Sequence, residues 1–209
     1  KDRKDPIISL IGYTNVGKST LLNLLTDAEV KAKDELFATL DATLRGIKLP
    51  IGRQVILSDT VGFIKKLPHQ LIAAFKATLE EVQEADLLLH VVDSNHPQLK
   101  ERMEVVYKVL GELDVLDKEI ITVFNKADLV EDNKLELLTQ EYSNSVYLSS
   151  ITEEGIEELV DKICQVIKRD MTIVNLEIPY KEAQWVDKLY QQGKVISEKY
   201  YTNKIIPIN

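Results

Sequence analysis

Gly12-Tyr-Thr-Asn-Val-Gly17-Lys18-Ser19 is the stretch that decides the fold of this 209-residue chain. It matches G-x-x-x-x-G-K-[ST], a phosphate-binding loop that lies between a strand and a helix. The glycines permit a tight turn whose N–H groups face phosphate oxygens, and the next helix adds its positive N-terminus. We expect Lys18 to reach the β- and γ-phosphates of a nucleotide and the Ser19 hydroxyl to bind Mg²⁺.

Short apolar runs alternate with helical patterns on both sides of this loop. The predicted strands are residues 7–11, 43–49, 54–59, 86–93, 120–124 and 146–148. This alternation predicts an α/β fold, a P-loop NTPase of three α/β/α layers with a mostly parallel sheet. Ligands bind at the carboxyl ends of such strands, and the motifs described here follow predicted strands.

A second phosphate-side motif, Asp59-Thr-Val-Gly62, follows the strand at residues 54–59. An aspartate at this strand end can hold Mg²⁺ through water, and the Gly62 N–H can approach a γ-phosphate. The pattern D-x-x-G is weak alone, but its place after the third strand makes it a strong indicator.

Asn125-Lys126-Ala-Asp128 follows the strand at residues 120–124 and predicts a guanine-binding loop. The Asp128 carboxylate can accept hydrogen bonds from guanine N1–H and the 2-amino group together, which adenine does not offer. Such sites discriminate by ~10⁴-fold. Asn125 can brace the loop, and the Lys126 stem can cover the base.

Ser149 and Ser150 follow the last predicted strand of the sheet, and a backbone N–H there can meet guanine O6. A plain loop before a helix is the alternative interpretation.

In the phosphate loop, the residues assigned to nucleotide binding are Asn15, Val16, Gly17, Lys18, Ser19 and Thr20.

The pattern changes near residue 170. We predict a GTPase-type domain at residues 1–170 and a small α+β unit at 171–209, with strands at 172–178, 194–200 and 204–208 and a helix at 182–191. A unit of this size needs support from the main domain or from further chain.

Bulk composition excludes several classes of protein. The net charge of −8 argues against whole-surface attraction to nucleic acid. No apolar run approaches the ~20 residues that span a bilayer, and the lone cysteine, Cys164, excludes an internal disulfide. We expect a cytoplasmic monomer.

His90, inside a buried strand, is interpreted as a core histidine with satisfied hydrogen bonds.

Further segments resemble one family of GTPases. Leu36-Phe-Ala-Thr39-Leu-Asp-Ala-Thr-Leu-Arg45, Asp59-Thr-Val-Gly-Phe-Ile64 and Ala73-Ala-Phe-Lys-Ala-Thr-Leu-Glu80 are similar to segments of HflX proteins. The resemblance covers about residues 7–169. It implies a GTPase that uses Mg²⁺, binds the large ribosomal subunit and splits stalled ribosomes under stress.

The resemblance also assigns roles to individual residues. Thr39 is placed in the switch that closes over Mg²⁺ and the γ-phosphate, with Thr43 as the competitor for that role. Asn15 resembles the asparagine that helps bind K⁺ in potassium-activated GTPases. Catalysis would then rest on Lys18, Thr39 and Gly62, and metal binding on Ser19, Thr39 and Asp59.

Phe63 follows D-x-x-G, where many GTPases have a glutamine that orients the attacking water. Phenylalanine cannot form that hydrogen bond, so we expect intrinsic hydrolysis at ~10⁻³ s⁻¹ or less unless another group is supplied. The ribosome is the expected supplier. The alternative is a guanine-nucleotide-dependent binding module with negligible turnover.

HflX proteins carry an N-terminal domain and a helical linker before the GTPase domain, whereas this chain begins just before its first strand. We interpret it as a fragment or a reduced form. Much of the family's ribosome contact resides in the preceding part, so the resemblance does not extend ribosome splitting to this chain alone.

Overall fold

A computed structural model describes residues 5–26, 43–60, 81–169, 174–192, 195–201 and 204–206. A six-stranded sheet has the order β2-β3-β1-β4-β5-β6. Its strands are β1 (Ile7–Ile11), β2 (Thr43–Lys48), β3 (Gln54–Asp59), β4 (Leu87–Asp93), β5 (Glu119–Asn125) and β6 (Ser145–Tyr147). Only β2 runs antiparallel to its neighbour, and the other pairs are parallel. The predicted α/β fold is confirmed.

Four helices accompany this sheet in the described residues: α1 (Lys18–Leu25), α2 (Leu99–Glu112), α3 (Asp132–Glu141) and α4 (Ile156–Lys168). Residues 81–84 are also helical. No helix in the described ranges is long and apolar enough to cross a membrane.

Strand β4 shows why the chain forms three layers. All its residues from Leu87 to Val92 are buried, because both faces of the strand are covered. Since side chains alternate along a strand, Leu87, Leu89 and Val91 join one core cluster with residues of α1 and α4, whereas Leu88 and Val92 pack against α2.

His90 lies in the same strand and is 1% exposed. Burial, and then the positive charge of Lys18, lowers the pKa of His90 to about 3. Its ring meets Tyr107 edge-on at 5.3 Å, and its Nδ1 has no hydrogen-bond partner among the described residues. The core placement is confirmed, but the prediction of satisfied hydrogen bonds is wrong at Nδ1.

A three-stranded antiparallel sheet has the order β7-β9-β8, formed by β7 (Ile178–Pro179), β8 (Lys199–Tyr201) and β9 (Lys204–Ile206). Helix α5 (Gln184–Gln192) follows a 3₁₀ turn at Tyr180–Glu182. The long predicted strands were wrong, because residues 174–177 and 195–198 are irregular. The boundary at residues 170–171 lies outside the described residues, so the division into two domains stays a prediction.

The sheet core should respond strongly to loss of volume. Leu89 is fully buried, whereas Leu137 on α3 is 65% exposed. Leu89→Ala should lower the free energy of unfolding by about 2–5 kcal/mol, because it leaves a cavity. The matched change Leu137→Ala should stay within about 0.5 kcal/mol. Urea unfolding of both variants tests this, and similar losses at the two positions would contradict the layer assignment.

Candidate nucleotide-binding site

The phosphate loop lies at the carboxyl end of β1, where the strand order reverses. Strand β1 pairs with β3 on one side and β4 on the other, so the chain leaves β1 for one half of the sheet and later crosses to the other. Such a switch point opens a crevice at the strand ends. The sheet therefore places the loop from Gly12 to Ser19 beside the ends of β3, β4 and β5.

Gly12 and Gly17 are required by close contacts. A Cβ on Gly12 would lie 2.2 Å from the main-chain oxygen of Val91, and one on Gly17 would lie 2.3 Å from Nδ2 of Asn125. Gly17 has φ +95° and directly precedes α1, and Asn15 has φ 61°. The loop thus takes a left-handed conformation at two positions, which turns successive N–H groups inward.

Lys18 is 7% exposed, and its ammonium donates to the main-chain oxygens of Tyr13 at 3.1 Å and Gly12 at 3.4 Å. Burial lowers the pKa of Lys18 to about 8, although the Asp59 carboxylate raises it. A buried ammonium favours an anion beside it, because the anion restores the stability of the charged form. The loop is built to receive polyphosphate.

Ser19 and Asp59, the two described residues predicted to serve Mg²⁺, are hydrogen-bonded to each other. The Ser19 hydroxyl donates to Oδ2 of Asp59 at 2.6 Å, and Asp59 is 2% exposed. A hydroxyl and a carboxylate are hard oxygen donors that fit Mg²⁺, which completes its shell with water and substrate phosphates. Within the described residues there is no group of three or more His, Cys, Asp or Glu side chains that could hold a metal alone.

Asn125 joins the phosphate loop to the loop after β6. Its Nδ2 donates to Val16 O at 2.8 Å, and its Oδ1 accepts from both N and Oγ of Ser150 at 3.0 Å. Both the nitrogen and the oxygen of the side-chain amide are thus hydrogen-bonded, at 2% exposure. The bracing role predicted for Asn125 has its contacts in the structure.

Lys126 has φ 63°, and its ammonium donates to Asn15 O at 3.0 Å and to Oδ2 of Asp93 at 2.8 Å. Asp128 is exposed in a 3₁₀ turn at Ala127–Leu129. Ala127 N donates to Leu148 O at 3.0 Å, which ties this turn to the end of β6. Asp128 therefore lies exposed in a turn that directly follows the residue in contact with the phosphate loop.

The two serines of the last loop have different roles. Ser149 is fully buried, and its Oγ accepts from the N–H groups of Ile151 and Thr152 at 3.2 and 3.1 Å. Ser150 contacts Asn125, as described above. The loop therefore holds its own shape through Ser149 and is fixed to the nucleotide loops through Ser150.

The remaining predicted residues are one on α1 and three outside the described residues. Thr20 lies half-buried in the first turn of α1. Thr39, Gly62 and Phe63 lie outside the described residues, so their roles stay predictions.

Asp93, which ends β4 opposite Asn125 of β5, was not predicted as a site residue. Its place after a buried strand was the available signal, since parallel strands end at one edge. Ser94 was missed as well: its N and Oγ both donate to Asn125 O, at 3.0 and 2.6 Å.

These features define a P-loop protein, and comparison with known proteins gives its family. Residues 7–126 match the family model described as "50S ribosome-binding GTPase". The chain is 44% identical over 200 residues to GTPase HflX of Caldanaerobacter subterraneus, covering 96% of this chain and 46% of that protein. Against GTPase HflX of Escherichia coli it is 43% identical over 195 residues, with 92% and 46% covered.

The chain therefore belongs to the 50S ribosome-binding GTPase family and, within it, to the HflX group. It spans about half the length of the curated relatives it matches.

Solved structures agree with the fold. A GTP-binding protein from Sulfolobus solfataricus, in complex with GDP, is 29% identical with a TM-score of 0.64, covering 78% of this chain and 53% of that one. Era from Aquifex aeolicus, at 24% identity and TM-score 0.64 over 78% of this chain and 57% of that one, supports the fold alone.

The contact at Gly12 gives a direct test of the loop. Gly12→Ala would place a methyl group against the main chain of β4, so it should cost about 2 kcal/mol or more and weaken nucleotide binding strongly. Gly46→Ala is the matched control, because nothing lies within 4 Å of a Cβ there. Thermal unfolding and GDP titration measure both effects, and an unchanged Gly12→Ala protein would refute the described loop geometry.

Proposed function

We propose that this domain binds GTP and GDP with Mg²⁺ and hydrolyses GTP to GDP and phosphate. One observation carries this proposal: the Asn125 amide bonds to the phosphate loop through Val16 O and to the Ser150 loop at the same time. This double contact holds the phosphate loop and the loop after β6 together, which supports a single nucleotide site. The GDP complex of the Sulfolobus relative supports the ligand class.

The roles of the residues follow from their chemistry. Lys18 neutralises the β- and γ-phosphates, while Ser19 and Asp59 hold Mg²⁺, and Thr39 joins them when the switch closes. When bound, Mg²⁺ offsets the charge that develops on the phosphates. Water attacks the γ-phosphorus and the bond to the β-phosphate oxygen breaks. The Gly62 N–H supports the transferred group.

Asp128 reads the base in this proposal. Its carboxylate accepts from N1–H and the 2-amino group of guanine, and the Ser149–Ser150 loop offers an N–H to O6. Adenine would leave the carboxylate without donors, so ATP should bind poorly.

Exchanging Asp128 tests this assignment. Asp128→Asn presents one acceptor and one donor in place of two acceptors. The donor faces the 2-amino group of guanine unfavourably, but it can bond to the 2-oxo group of xanthine. We expect GDP affinity to fall on the order of 10³-fold and XDP affinity to rise. Asp132→Asn, an equal charge change at an exposed position four residues on, is the control. Loss of both nucleotides in Asp128→Asn would point to misfolding of the loop instead.

The partner we propose is the large ribosomal subunit, because the matching family is described as a 50S ribosome-binding GTPase. Phe63 supports slow hydrolysis without such a partner. It also favours the second candidate, a nucleotide-dependent binding module whose turnover is negligible. We further propose that Asn15, exposed at the loop surface in a left-handed conformation, contributes to K⁺ binding.

Phosphate release from GTP separates these proposals. It should be on the order of 10⁻³ s⁻¹ or less alone and rise with large subunits. Replacing KCl by NaCl at equal ionic strength should lower the rate, and Asn15→Gly, which keeps the backbone conformation, should remove that difference. Bound GTP without turnover in every arm would support the binding module and contradict the enzyme.

A further inference from the structure

We propose that Asp93 is a positioning residue for the guanine nucleotide, acting through Lys126. This inference rests on the proposed function and deepens it. The carboxylate would fix the Lys126 ammonium at the phosphate loop, so that the methylene stem lies across the base site. Asp93 itself would not touch the nucleotide.

The carboxylate is held on both of its oxygens. Oδ2 of Asp93 meets Nζ of Lys126 at 2.8 Å, and Oδ1 accepts the N–H of Asn95 at 3.1 Å. Asp93 and Asn125 are paired in register at the ends of β4 and β5, so the sheet sets the distance between the carboxylate and Lys126. The acceptor is therefore preorganised by the backbone.

Lys126 needs such an anchor. It has φ 63°, a left-handed conformation that a residue with a side chain adopts only where its surroundings fix it. The same ammonium that meets Asp93 also donates to Asn15 O at 3.0 Å. Losing the carboxylate would leave one hydrogen bond to hold a long, flexible side chain in place.

Burial distinguishes this ion pair from an ordinary surface pair. The side chains of Asp93 and Lys126 are 15% and 31% exposed, whereas those of Glu141 and Lys100 are 47% and 64% exposed at the same 2.8 Å separation. Exposed pairs contribute little because water screens them. Burial, followed by the positive charge of Arg102, lowers the pKa of nearby His96, although the Asp93 carboxylate raises it.

The test is dissociation of a fluorescent GDP analogue from the full chain in Mg²⁺. Asp93→Asn keeps the shape and the acceptor for Asn95 but removes the charge, so the dissociation rate should rise about tenfold. Glu141→Gln breaks the exposed pair and should leave the rate within twofold. A wild-type rate in Asp93→Asn would overturn the inference.

A double-mutant cycle excludes a merely structural effect. In a Lys126→Met background, Asp93→Asn should change the rate less than twofold, because its partner is already gone. Equal effects in both backgrounds would overturn the inference. If Asp93→Asn does not fold, Asp93→Ser provides the same comparison, since its hydroxyl can still accept from Asn95. Wild-type protein that binds no GDP analogue would overturn the proposed function, and this inference with it.

Discussion

The nucleotide edge of the sheet depends on the side-chain amide of Asn125. One buried group donates to the phosphate loop and accepts from the last loop of the sheet, while its main-chain oxygen receives both donors of Ser94. Three strand ends are thereby tied to one residue. Residue 17 has to be a glycine, because any side chain there would occupy the space of the Asn125 amide.

This constraint gives the neighbouring charges fixed places. Lys18 is buried and Lys126 is half-buried, and both ammonium groups donate to main-chain oxygens of residues 12–15. Two cations held at main-chain oxygens are well suited to a polyphosphate and an attached base. Asp59 lies near Lys18 and Asp93 lies near Lys126. Each carboxylate offsets one positive charge and so limits the repulsion between the two ammonium groups.

The sequence predicted the sheet and the phosphate loop well, because both depend on strong local patterns. Leu87 to Val92 is apolar enough to be a strand covered on two faces, and Gly17-Lys18-Ser19 has a fixed spacing. Asp93 escaped prediction because its partner is distant in sequence and no spacing rule links them. Two tail strands were predicted too long, since residues 174–177 and 195–198 are irregular although their apolar and β-branched residues favour strands. Thr39 and Gly62 rest on motif and resemblance alone.

The bond from Asn125 to Val16 spans 109 positions along the chain, and that from Lys126 to Asn15 spans 111. Contacts of such long range close large loops, whose entropy must be overcome before the contacts form. We therefore expect the contacts around Asn125 and Lys126 to form late in folding. A nucleotide bound there should then lower the unfolding rate of the domain and change its folding rate little.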